Sequence, residues 1–92
     1  FTAHGTINIK TKKWEDDFSP LDEMGTTFVD HEYSKAYLRH LFAANEYLGK
    51  QIATIHNLGF YLWLVREARR HILAGDFYEW KSVMVKQMDK RL

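Results

Sequence analysis

The spacing of apolar positions changes near residue 30. Before it, Ile7 and Ile9 alternate with polar neighbours across Thr6-Ile7-Asn8-Ile9-Lys10. This period-two pattern predicts a short half-buried strand, with Gly5 as the turn ahead of it. Residues 14–22 read as loop, because acidic Glu15, Asp16 and Asp17 lead into Ser19-Pro20 and a proline disfavours helix at the residue before it. Residues 24–29 hold Gly25, Thr26, Thr27 and Phe28 and read as irregular or weakly extended.

From Asp30 the period becomes helical. Tyr33, Tyr37 and Leu41 fall on one stripe with Leu38 and Phe42 beside it, the pattern of an amphipathic helix. Asp30 or Ser34 is placed to cap it, since either side-chain oxygen can accept from a free backbone N–H in the first turn. Gly49 is expected to break or bend this helix. A longer helix is predicted over 51–74, where Ile52, Ile55, Gly59, Leu62, Ala68 and Ile72 follow spacings of three and four and their multiples. Its middle, Phe60 to Val65, is apolar almost all round, and such a helix requires neighbours on every side. Gly75 suits a left-handed helix C-cap, and Asp76 with Glu79 matches a variant of the capping box. A last helix is then predicted from Phe77 to about residue 90, burying Phe77, Trp80, Val83, Met84 and Met88.

These elements add up to one α+β domain over 1–92, mostly helical. A strand and loop region occupies 1–29, and about three helices occupy 30–92. At 92 residues with 46% apolar and 15% aromatic content, a core is within reach, but a domain this small hides only part of its apolar surface. The aromatic excess and the all-round apolar helix both point to a missing partner surface. A formal net charge of +1 lacks the basic footprint of a free-standing nucleic-acid binder. The absence of cysteine excludes a disulfide framework and suits a reducing compartment, so a cytoplasmic setting is expected. No apolar run approaches the roughly 20 residues of a membrane span, and no membrane partner is expected. The first residue, Phe1, opens a stretch that reads as mid-protein sequence, so the chain is expected to be an excerpt of a larger one.

Catalytic constellations are missing from the pattern. The five histidines His4, His31, His40, His56 and His71 include no helical His-x-x-x-His zinc pair. Asp30, His31 and His56 form at most a loose metal set, set against ordinary capping, surface or core-polar roles. There is no Gly-rich phosphate loop, no cysteine nucleophile and no serine in a nucleophile elbow. No catalytic residue is assigned.

Two strings are more specific: Tyr33-Ser34-Lys35-Ala36-Tyr37-Leu38-Arg39-His40-Leu41-Phe42 and Thr54-Ile55-His56-Asn57-Leu58-Gly59-Phe60-Tyr61-Leu62. Both resemble the C-terminal region of the bacterial tRNA-guanine transglycosylases, also called queuine tRNA-ribosyltransferases. The loop Asp16-Asp17-Phe18-Ser19-Pro20-Leu21-Asp22 is similar to that family's Asp-Asp…Pro-Leu-Asp stretch. The opening Phe1-Thr2…Gly5…Ile7-x-Ile9-Lys10 fits the strand before it, so the resemblance runs in order over essentially the whole chain. It implies the C-terminal subdomain of a TIM-barrel enzyme that exchanges guanine at the tRNA wobble position for a 7-deazaguanine base in queuosine biosynthesis. The aspartates that act there lie on the barrel, and none is carried onto Asp16, Asp17, Asp22 or Asp30.

The resemblance also implies a structural zinc held by three cysteines spaced Cys-x-Cys-x-x-Cys and a later histidine. Those positions fall on Gly25, Thr27, Asp30 and His56, and only the histidine is retained. Glycine has no side chain to offer, and zinc in structural sites favours thiolate and imidazole over a threonine hydroxyl. No cofactor is therefore expected in this segment. Direct contact is expected in its place, with Asp30 or Thr27 hydrogen-bonded to His56; the plain alternative is a His56 that faces solvent.

Three partners follow from the resemblance: an upstream catalytic barrel of the same chain, a second copy, and tRNA as the substrate of the parent. Tyr33, Tyr37 and His40 match the family's aromatic and histidine cluster at the subunit interface, against the alternative of core tyrosines and a surface histidine. Lys35, Arg39, Arg66, Arg69, Arg70, Lys81, Lys86, Lys90 and Arg91 carry charge suited to phosphate, but at this net charge they read first as a solvated face, and no RNA contact is assigned. Two other functions fit the pattern, a non-catalytic helical module that binds a partner protein and a degenerate subunit paired with an active one.

Overall fold

A computed structural model describes all residues, Phe1–Leu92. A loop-rich first third, containing one 3₁₀ turn at Lys12–Trp14, leads into four helices: α1 (Val29–Glu32), α2 (Lys35–Ala43), α3 (Tyr47–Ala74) and α4 (Phe77–Asp89). The fold is mostly helical, as the periodicity implies.

The predicted strand does not form. Thr6 makes one parallel bridge with Arg91, through Thr6 N–H to the Lys90 carbonyl at 2.7 Å and Leu92 N–H to the Thr6 carbonyl at 3.0 Å. Two residues later the chain turns, as Asn8 accepts from Thr11 N–H through its carbonyl and from Lys10 N–H through its side chain. Asparagine promotes such turns by bonding the backbone two residues on. The alternation of Ile7 and Ile9, both half-buried, thus reports one-sided burial without a ladder.

The single helix expected from Asp30 is split into α1 and α2. Tyr33 is extended, with φ −112° and ψ 140°, because its carbonyl accepts from Leu21 N–H at 2.8 Å and is lost to the helix. Asp22 N–H and Lys35 N–H bond the carbonyls of Asp30 and Ser19 in the same way, laying residues 17–22 alongside 30–36. Helix α2 then restarts at Ser34, whose hydroxyl accepts from Tyr37 N–H at 3.1 Å. Ser34 is the cap; Asp30 is buried and serves elsewhere.

Gly49 neither breaks nor bends a helix. The break falls at residues 44–46, where Asn45 takes φ 55°, a left-handed conformation in which asparagine is enriched. Gly49 lies inside α3 and is buried against α2. A Cβ there would stand 3.1 Å from Leu41 Cβ, so the missing side chain sets how closely the two helices approach. The core lies at this crossing: Leu21, Val29, Leu38, Leu41 and Ile52, with Ile9, Tyr33 and Phe42 against it.

Helix α3 has 28 residues, or about 42 Å at 1.5 Å per residue, nearly the 46 Å long axis of the molecule. It packs on α1, α2 and α4; Phe1 sets its ring against Phe60 and Tyr61 near the middle, and toward the end the His71 and Trp80 rings stack at 5.0 Å. In the apolar middle Phe60 is buried, while Tyr61, Leu62 and Val65 stay exposed. Gly75 closes the helix with φ 83°, as predicted. Asp76 does not form the expected capping box, because its carboxylate bonds His71 Nδ1 at 2.7 Å. In α4, Met84 is buried and Phe77, Trp80 and Met88 are half-buried, but Val83 is 58% exposed: its face of α4 has no neighbour.

Candidate functional site

Three of the positions singled out in the sequence converge where the 22–30 loop meets α3. Asp30 is 1% exposed and His56 7%, and His56 Nδ1 lies in direct hydrogen-bond contact with Asp30 Oδ1. The other carboxylate oxygen, Oδ2, accepts from both the backbone N–H of Thr27 at 3.0 Å and its hydroxyl at 2.7 Å. The ring's second nitrogen, Nε2, bonds the Phe1 carbonyl. A carbonyl only accepts, so Nε2 carries a proton. The buried Asp30–His56 pair is costly to desolvate and is tolerated here because each remaining donor and acceptor has a partner.

The contact expected of Asp30 with His56 is therefore made. Thr27 does not reach the ring; it orients Asp30. Gly25 contributes by what it lacks, since a Cβ there would fall 2.2 Å from Asp30 Cγ. Gly59 does the same from α3, where a Cβ would fall 2.3 Å from the Thr27 methyl group. Asp22, which the sequence did not single out, is also buried, and its ligand atom lies within 4.8 Å of those of Asp30 and His56. It accepts from Met24 N–H at 3.1 Å. His31, the third member of the loose metal set, is not in the cluster; its Nε2 bonds the Gly25 carbonyl at 2.8 Å. A cavity of about 50 Å³ adjoins the cluster, walled in part by Ala3, Met24, Phe60 and Trp63.

A second feature lies on the α1–α2 side. Tyr33 is half-buried against the core, whereas Tyr37 is 42% exposed and His40 is exposed. The Tyr33 and Tyr37 rings stack at 5.7 Å, 11° from parallel. Beside them an open groove of about 470 Å³ runs between Phe28, Tyr33, Tyr47, Leu48 and Ile55.

The basic residues divide. Lys35 Nζ is committed to Ser19 Oγ at 2.9 Å and the Pro20 carbonyl at 2.8 Å. Arg39 Nε donates to the Thr11 carbonyl, and Arg70 pairs with Glu67 at 2.8 Å. Arg66, Arg69, Lys81, Lys86, Lys90 and Arg91 are exposed. Asp17 is held below the ordinary carboxylate value, first by the Ser19 hydroxyl and then by the Ser19 backbone N–H. No helix is long and apolar enough to cross a membrane.

A family model described as queuine tRNA-ribosyltransferase matches residues 1–90. The chain belongs to that family. A relative named queuine tRNA-ribosyltransferase from Aquifex aeolicus (strain VF5) is 40% identical over 92 residues, covering 100% of this chain and 24% of the relative. Its counterpart from Oleidesulfovibrio alaskensis is 45% identical over 82 residues, 89% of this chain and 22% of the relative. The one from Bacillus subtilis (strain 168) is 45% identical over 82 residues, 86% of this chain and 22% of the relative. The chain thus spans less than a quarter of the length of these curated relatives.

Membership of the queuine tRNA-ribosyltransferase family raises the matter of the structural zinc implied by the resemblance. The residues here do not fit it. Two of its three cysteine positions carry no zinc donor of the structural type, and the third carries a carboxylate. Asp30 meets His56 directly and gives its second oxygen to Thr27. The donor set lacks thiolate, Asp30 and His56 already bond each other, and the neighbouring Asp22 adds only a second carboxylate, bonded to Met24 N–H.

Proposed function

We propose that this segment belongs to a tRNA-guanine transglycosylase, an enzyme that exchanges wobble guanine for a 7-deazaguanine base in queuosine biosynthesis, and that within it the segment is a C-terminal structural and dimerisation domain. The observation that carries this reading is the family match across residues 1–90, joined to relatives that bear the name queuine tRNA-ribosyltransferase. Residues 1–92 act as one unit, with the loop region 1–29 fastened onto the helical region 30–92. The reaction needs groups from outside the segment: the Asp30 carboxylate is committed to His56 and Thr27, and the cavity of about 50 Å³ beside it is too small for a nucleobase. tRNA is the substrate of the complete enzyme, which works in the cytoplasm.

Two surfaces support the partner assignments. The exposed apolar stretch of α3, with Tyr61, Leu62 and Val65, is the face for the upstream catalytic barrel of the same chain. The stacked Tyr33–Tyr37 pair with His40 on α2 is the face for a second copy, in keeping with the preference of interfaces for aromatic side chains.

The test is labelled-guanine exchange into tRNA by the complete protein, run beside the isolated 92-residue segment. Exchange by the complete protein alone is expected. No exchange by either would favour a degenerate partner subunit or a protein-interaction module. For the pairing role, Tyr37→Ala in the complete protein is expected to weaken self-association at least tenfold by sedimentation. Unchanged dimer affinity would remove Tyr37 from the interface.

A further inference from the structure

We propose that in this chain Asp30 takes the place of the family's zinc. Its carboxylate, fixed by Thr27 and admitted by Gly25, fastens the 22–30 loop to α3 through His56, and the domain holds its fold with no metal at this position. This inference rests on the family membership, not on the exchange reaction or the subunit pairing.

Four observations meet in it. The carboxylate reaches His56 directly and accepts two bonds from Thr27. Both residues of the pair are buried, so the link is shielded from water and from screening. The Thr27 methyl group lodges in the notch left by Gly59, which anchors the orienting residue to the same helix as His56. Most telling is Gly25. A Cβ at that position would stand 2.2 Å from Asp30 Cγ and 2.5 Å from Asp30 Cβ, closer than the carboxyl group can yield by rotation alone. Any side chain at 25, a cysteine included, is therefore incompatible with Asp30 where it lies. The replacements at 25, 27 and 30 form one interlocking unit: the first makes room, the second orients and the third bridges.

The experiment uses the complete protein that carries this segment, purified without added metal. Zinc content well below one per chain is expected, with a melting temperature unchanged by EDTA or by added zinc. One zinc per chain, or a melting temperature that falls on chelation, would overturn the proposal. Restoring the cysteines as G25C/T27C/D30C with His56 kept is expected to make the melting temperature zinc-dependent. A triple variant that folds yet ignores zinc would overturn it, because the positional correspondence would be lost. A variant cycle decides the matter without cysteines. Gly25→Ala is expected to lower the melting temperature by several degrees beside Asp30 and to have little effect in an Asp30→Gly background, which removes the Cβ as well as the carboxyl group; equal losses in both would count against the interlock. Each outcome stands whether or not the protein exchanges guanine.

Discussion

Gly59→Ala separates two opposing physical effects on one helix. In the interior of a helix, replacing glycine with alanine ordinarily stabilises by about 1 kcal/mol, because glycine loses more backbone freedom on folding. Position 59 is buried in the middle of α3. There the new methyl group would stand 2.3 Å from Thr27 Cγ2 and 3.4 Å from Thr26 Oγ1. Overpacking of this kind costs about 1–3 kcal/mol. A contact more than an ångström inside the usual carbon–carbon separation of about 3.5 Å belongs at the upper end. It also pushes on Thr27, whose hydroxyl and N–H hold Asp30. Subtracting the propensity gain leaves a loss of about 2 kcal/mol, or roughly 10 °C in melting temperature for a domain of this size. The assay is urea and thermal unfolding followed by circular dichroism. Thr27→Ser removes the obstructing methyl group and keeps the hydroxyl, so Gly59→Ala in that background is expected to recover most of the loss. A Gly59→Ala variant that melts higher than the parent, or a loss unchanged by Thr27→Ser, would refute the packing argument.

Four further outcomes follow from the same structure. Ser34→Ala deletes the one side-chain cap on α2 and is expected to cost about 1 kcal/mol in urea unfolding, whereas Asp76→Ala leaves the start of α4 intact because Asp76 caps nothing there. Ile52→Ala, at a core position 1% exposed, is expected to cost about 2–5 kcal/mol by transfer and cavity effects. The folded-state pKa of Asp17 is lowered, so its contribution is present above the unfolded value of about 3.9 and fades as pH falls through the folded one. Asp17→Asn is therefore expected to be less stable than the parent near pH 6 and to converge with it in acid, read from melting temperature against pH; a constant gap down to pH 2 would contradict the assignment.

The helices were legible in the sequence because their signals are local. Period, the Ser34 cap and the Gly75 terminator each act within a few residues, and α3 and α4 lie close to where these signals put them. What escaped was decided by distant partners. The strand over 6–10 failed because its backbone meets one bridge partner near residue 91 and then turns at Asn8. The split between α1 and α2 comes from Leu21 N–H claiming the Tyr33 carbonyl, a competition no periodicity records. Gly49 was misread because a helical glycine looks alike whether it ends a helix or admits a neighbour, and only Leu41 distinguishes the two. At the site, the family pattern brought out Gly25, Thr27, Asp30 and His56 together. Asp22 enters the sequence only within the Pro-Leu-Asp match and Gly59 only as a position on the helical stripe, and neither context marks it as part of the site.

The crossing of residues 1–10 over the helices carries a kinetic consequence. Residues 1–10 cross over α3 and the end of α4, held by the Phe1 carbonyl on His56 Nε2, the Thr6 hydroxyl on the Met88 carbonyl at 2.8 Å, and the Thr6 backbone bonds to Lys90 and Leu92. These contacts close loops of 55 and 82 residues, and the entropic cost of closure grows with loop length. The helical hairpins close far shorter loops and carry the core, so they form first and the crossing segment fastens last. In reverse, the segment opens first, a sub-global event that leaves the Leu38–Ile52 core intact. In native-state hydrogen exchange Thr6 N–H then exchanges by an opening of its own, with less urea dependence than the amides of α3. Protease cutting within residues 1–10 should likewise outpace global unfolding, leaving behind a helical body whose His56 ring has lost one of its two tethers.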